Sequence, residues 1–268
     1  MANTPSPDQR QGRGRLRAEV LIVLGLSLGQ SAVYAVLRLI DRLTEAAPLA
    51  QQTAAMNTSD SPKPWLDLLY QLAGVGFGVV PALLALYLLA GGPGTSGGPE
   101  AAAGRWAGAK RIGLTLGRPL RDLSWGLALA GGIGLPGIGF YLLGRQLGLT
   151  VQISTQSLGQ FWWTIPVLVL AAVQNGVLEE VVAVAYLADR LTELGWRPWA
   201  WIAASSLLRG SYHLYQGFGP FLGNVAMGLV FAWFYRRTGR VMPLVVAHTV
   251  IDVVAFIGPS LLDPSWLT

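Results

Sequence analysis

Six ionisable side chains lie in stretches that are otherwise apolar: Glu179, Glu180, Arg209, His213, His248 and Asp252. Both histidines of the chain are among them. A charged group at the middle of a bilayer costs about 3 kcal/mol on insertion scales, so such groups face a bundle interior or a water-filled cavity. Their spacing gathers them further. His248 and Asp252, four apart in AHTVID, project from one helix face, and Arg209 and His213 in RGSYH have the same relation. Asn175 precedes Glu179 by one turn. Adjacent Glu179 and Glu180 point about 100° apart on a helix. Both therefore cannot meet one partner equally; one can aim into a cavity while the other meets a neighbouring helix.

The chemistry these types support is hydrolysis by general base catalysis. Burial disfavours the charged form of a carboxylate, which brings its proton affinity toward what a base needs near neutral pH. Histidine can orient the attacking water, donate to a tetrahedral oxyanion or bind a metal. Other hydrolytic designs are excluded. The chain has no cysteine, no H-E-x-x-H and no serine in an elbow motif paired with a buried histidine.

The elements that must position these groups are membrane helices. The 268 residues are 52% hydrophobic and only 12% charged, about half the charged fraction of an average soluble domain. Apolar runs near the roughly 20 residues needed to cross a bilayer core recur at about 20–38, 66–90, 123–143, 161–187, 199–217, 219–235 and 241–258. The expected fold is all-α, a polytopic transmembrane helical bundle of about seven spans. Basic residues orient it. Fourteen Arg and Lys fall in segments on one side, beginning with Arg10 to Arg17, and four on the other. The positive-inside rule then makes the N-terminus cytoplasmic in a multi-pass protein integral to the cell membrane. The net charge of +5 is thereby spent on orientation, and nucleic acid is not an expected partner.

Composition divides the chain into a disordered cytoplasmic arm (1–17), N-terminal transmembrane helices (18–90), a flexible then basic cytoplasmic linker (91–118), a functional core (119–258) and a tail (259–268). Gly132, Gly134 and Gly137 satisfy G-x-G-x-x-G, but inside an apolar run beside Pro136 they read as close helix packing or a kink, not a dinucleotide fingerprint. Gly74/Gly78 and Gly219/Gly223 read as packing surfaces. Tyr212, Tyr215, Trp196, Trp199 and Trp201 read as interfacial anchors or packing residues.

At these motifs the sequence resembles the CPBP family of intramembrane endopeptidases, which includes type II CAAX prenyl proteases and bacterial Abi proteins. The family's signatures E-E-x-x-x-R, F-x-x-x-H and H-x-x-x-N/D correspond in order to EEVVAV (179–184), RGSYH (209–213) and HTVID (248–252). The resemblance implies a helical bundle around a water-accessible site opening toward the cytoplasm. It implies Glu179 as the base that activates water, with Glu180 in support. His213 would position water or metal, and His248 and Asp252 would bind metal or stabilise the oxyanion, with Asn175 and Arg209 supporting. A divalent metal such as zinc, held by His213, His248 and Asp252, and a metal-independent glutamic mechanism are both open. The implied partners are membrane lipid and a peptide or membrane-anchored protein substrate, which need not be prenylated.

Two positions depart from the family. Val184 stands where its arginine is expected, and Arg209 where its phenylalanine is expected. Arg209 can supply from the next helix the positive charge that Val184 lacks. Two rival readings use the same polar cluster: a proton- or metal-coupled transporter, and a catalytically inactive membrane scaffold of this family.

Overall fold

The structure is a computed structural model, and it describes residues 7–91, 106–154 and 158–261. Its helices are α1 (Pro7–Gly25), α2 (Leu28–Thr44), α3 (Pro64–Gly78), α4 (Val80–Ala90), α5 (Ala107–Arg111), α6 (Pro119–Gln146), α7 (Thr164–Glu179), α8 (Leu187–Glu193), α9 (Pro198–Ser211), α10 (Phe218–Thr238) and α11 (Met242–Leu261). A π-helical stretch, Glu180–Tyr186, joins α7 to α8 without interruption. Two three-residue strands, β1 (Thr53–Ala55) and β2 (Gln152–Ser154), pair in parallel. The all-α expectation holds, since the strands only stitch two loops together.

The count of about seven spans is not confirmed. Among the described residues four helical stretches are long and apolar enough to cross a membrane: Pro64–Ala90, Pro119–Gln146, Thr164–Glu193 and Phe218–Thr238. A fifth results if the bent pair α1–α2 counts as one span. The shortfall has local causes. The run at 20–38 breaks at Leu26–Ser27, and the two helices meet at 53°. The run at 199–217 yields only the 14 residues of α9, about 21 Å at 1.5 Å per residue against a hydrocarbon core of about 30 Å. It ends in a 3₁₀ turn, Leu214–Gln216, and then at Gly217, whose φ of 106° an L side chain rarely adopts. The run at 241–258 gives the 20 residues of α11, of which Met242–Gly258 is a shorter apolar helix.

The two ends of the bundle are chemically distinct. At one end Arg190, 1% exposed, meets Glu19 at 2.7 Å, Asp189 at 3.2 Å and Glu193 at 3.3 Å, and donates to Leu88 O at 2.7 Å. Arg111 bridges Asp189 and Glu193, both at 2.9 Å. Arg13 donates to Leu194 O, and Arg240 pairs with Asp122 at the start of α6. These contacts fasten α1, α4, α5 and α8 together. At the other end lie the β1–β2 pair, a bridge between Thr150 and Gly217, and the Arg145 side chain on Ala50 O. From the arginine-rich end, α2, α6, α9 and α11 run toward the strands; α3–α4, α7–α8 and α10 return.

Of the arm 1–17, the residues from Pro7 onward are helical. Residues 1–6, most of the glycine-rich linker (92–105) and the tail beyond 261 lie outside the described residues. The glycine packing holds in part: a Cβ at Gly78 would stand 2.7 Å from Gln174, one at Gly219 would strike Thr150, and one at Gly223 would meet Phe140 at 3.5 Å. A Cβ at Gly132 or Gly137 would meet nothing within 4 Å, so these are not packing contacts. Close approach also occurs at Gly176, where a Cβ would stand 2.8 Å from Thr249 Oγ1 and 3.1 Å from Val245 O. Only glycine lets α7 lie against α11 there, which brings Glu179 and Glu180 beside His248.

Candidate active site

The two glutamates occupy the junction where α7 passes into the π-helical stretch. Such π segments are rare and recur at functional sites. Glu180 is fully buried, and its Oε1 accepts from Arg209 Nη2 at 2.5 Å and from His248 Nδ1 at 2.6 Å. Glu179 keeps 12% of its side chain accessible, and its Oε2 accepts from Tyr212 OH at 2.6 Å and Arg209 Nη1 at 3.3 Å. The unequal sharing expected from their angular offset is present: both reach one guanidinium, at 2.5 and 3.3 Å. Glu179 faces the cavity, while Glu180 is turned against α9 and α11.

Arg209 is fully buried between the carboxylates and the Phe231 ring, 5.5 Å from its centroid. Val184 is also fully buried. The guanidinium that meets the two glutamates thus comes from α9, while position 184 of the glutamate helix carries no charge. With Nδ1 of His248 donating to Glu180, the other ring nitrogen turns to the cavity, where Nε2 lies 3.8 Å from Glu179 Oε2 and 3.7 Å from Asp252 Oδ1. Asp252 Oδ2 accepts from Asn175 Nδ2 at 3.1 Å. His213 adjoins the Tyr212 ring at 4.9 Å, and both of its ring nitrogens are buried without a hydrogen-bond partner.

All the residues singled out from the sequence therefore converge. Glu179, His213, His248, Asp252 and Asn175 line one cavity of about 520 Å³. Glu180 and Arg209 lie directly behind it. Two contributors were not foreseen. Tyr212, read as an anchor, is the closest partner of Glu179; its position beside His213 was the available signal. The second is α2, whose Leu28, Ser31, Tyr34 and Arg38 form a wall of the cavity, although the functional core was expected to begin at 119. Ser206 bonds to Ile202 O, and Gln216 to Tyr215 and Met56. Among the described residues no three His, Asp or Glu side chains are grouped to hold a metal ion. His213, His248 and Asp252 are not drawn together as such a group, although His248 Nε2 and Asp252 both face the cavity.

A buried carboxylate–histidine cluster inside a bundle of apolar helices fits an integral membrane protein with a polar site at its core. Residues 161–254 match the family described as type II CAAX prenyl endopeptidase Rce1-like. That stretch carries all three motifs, with Glu179, Glu180, Arg209, His213, His248 and Asp252, and supports the resemblance to the CPBP, CAAX protease-like family. The family implies an intramembrane endopeptidase. No curated protein and no solved structure matches the chain.

Proposed function

We propose that this protein hydrolyses a peptide bond of a membrane-anchored polypeptide, using water activated by Glu179. The observation that carries this reading is the asymmetry of the glutamate pair. Glu180 is locked by a guanidinium and an imidazole, whereas Glu179 lines the cavity with one oxygen fixed by Tyr212 and Arg209. Among the described residues nothing donates to its other oxygen, Oε1, which suits a general base.

In this reading Glu179 Oε1 takes a proton from water as the oxygen adds to the substrate carbonyl, and later returns it to the departing amine. His213, and His248 Nε2 when its ring is the imidazolium, donate to the tetrahedral oxyanion in this reading. Asp252, held by Asn175, steadies the His248 ring. Arg209 keeps the two carboxylates together in a space too dry for either alone. In this reading lipid surrounds the bundle, and the positive-inside distribution supports a cytoplasmic N-terminus and a cell-membrane location.

The test uses purified protein in lipid, wild type beside Glu179→Gln, with a library of membrane-anchored and prenylated peptides read by mass spectrometry. Defined cleavage by wild type alone is the expected result. Equal cleavage by Glu179→Gln would remove Glu179 from the chemistry. Proton or metal flux into liposomes without cleavage would move the protein to the carrier class.

A further inference from the structure

The cavity extends from the glutamates in one direction only. On α7 its lining residues are Asn175, Leu178 and Glu179, which lie on the strand-pair side of Glu180. On α11 they are His248 and then Asp252 and Phe256, successively nearer the strand-bearing end. On α2 they climb from Leu28 to Arg38, about 15 Å at 1.5 Å per residue. Met56, which follows β1 directly and pairs its backbone N–H with Ser154 O at 2.8 Å, completes the far wall. No lining residue comes from α4, α5, α8 or the starts of α9 and α11, the elements gathered at the arginine-rich end.

Basic segments mark the cytoplasmic side of a membrane protein, and Lys110 to Arg121, Arg190 to Arg197 and Arg236 to Arg240 all gather at the end away from the strands. We propose that the site is entered from the opposite, non-cytoplasmic side, past Arg38 and Met56. The resemblance implied a cytoplasmic opening; the lining leads the other way. Given the peptidase reading above, the substrate is then an exported or membrane-anchored polypeptide whose cleaved bond lies on the outer side of the membrane. A cytoplasmic prenylated C-terminus is on the wrong side. Arg38, for which no ion-pair partner exists among the described residues, presents a guanidinium to a carboxylate of such a segment as it enters.

Because the chain has no cysteine, single-cysteine variants report sidedness directly. Ser31→Cys places a thiol in the cavity wall, Ser59→Cys in the loop between β1 and α3, and Gly117→Cys in the loop before α6. Full-length variants in cell membranes are treated with a membrane-impermeant thiol reagent, in intact spheroplasts and in inverted vesicles. The expected pattern is labelling of Ser31→Cys and Ser59→Cys in spheroplasts and of Gly117→Cys in inverted vesicles. Labelling of Ser31→Cys only from the Gly117 side, or only after detergent, would overturn the proposal. So would labelling of Gly117→Cys in spheroplasts. The pattern is expected unchanged in a Glu179→Gln background, so a failure of sidedness and a failure of the peptidase reading register separately.

Discussion

Replacing Arg209 by leucine tests the central electrostatic argument. The guanidinium is fully buried and is shared by Glu179 at 3.3 Å and Glu180 at 2.5 Å. Removing one partner of a buried ion pair costs about 3–5 kcal/mol, because the charge left behind is uncompensated. Here two carboxylates are stranded, and Glu180 already has one buried oxygen, Oε2, without a hydrogen bond. For a chain of this size the loss corresponds to roughly 6–20 °C in Tm, read by thermal unfolding in detergent, with activity lost as Glu179 changes position. The paired variant Val184→Arg/Arg209→Leu moves the cation onto the glutamate helix. In a π register, where residue i bonds i+5, position 184 comes round toward Glu179 and Glu180, so the pair recovers on the order of 1–2 kcal/mol of the 3–5 lost. A singly substituted Arg209→Leu protein with unaltered Tm and unaltered activity would refute the reasoning.

Three further outcomes follow from the same geometry. Tyr212→Phe removes the 2.6 Å hydrogen bond to Glu179, worth about 1.5–3 kcal/mol for a charged acceptor; turnover falls by roughly ten- to a hundredfold while circular dichroism is unchanged. Gly176→Val pushes α7 from α11 and costs about 1–3 kcal/mol through overpacking, visible as a lower Tm accompanied by lost activity. Arg190→Leu leaves Glu19 and Leu88 O without their cation; its cost is about 3–5 kcal/mol, and limited proteolysis then cuts between α1 and the core.

The site was legible in the sequence because intramembrane charges are costly and therefore few. Glu179, Glu180, His213, His248 and Asp252 stood out by residue type and depth alone, and the reach of Arg209 followed from the gap left at Val184. What was not legible depends on how far an apolar run stays helical. Hydropathy counts residues and is blind to the 3₁₀ turn and Gly217 that cut α9 short, or to the break at Leu26–Ser27. The contribution of α2 was hidden because Ser31, Tyr34 and Arg38 are ordinary near a membrane surface. Glycine spacing was informative only in part: Gly78 and Gly219 are crowded whereas Gly132 and Gly137 are open, and only the neighbouring backbone decides which is which.

The π-helical stretch carries a consequence for the whole segment 179–190. Between those positions an ideal α-helix makes about three whole turns, which would bring Arg190 round beneath Glu179, on the side of α9 and the cavity. Underwinding across Glu180–Tyr186 carries Arg190 instead to Glu19 on α1 and Leu88 on α4. The stretch therefore sets a phase between two sets of partners at different heights in the membrane. A one-residue deletion within it would let the helix relax to α winding without removing any charged group. Whichever end then kept its partners, the other would present a different face, so that chemistry and anchorage would be out of step in a molecule that still holds every motif.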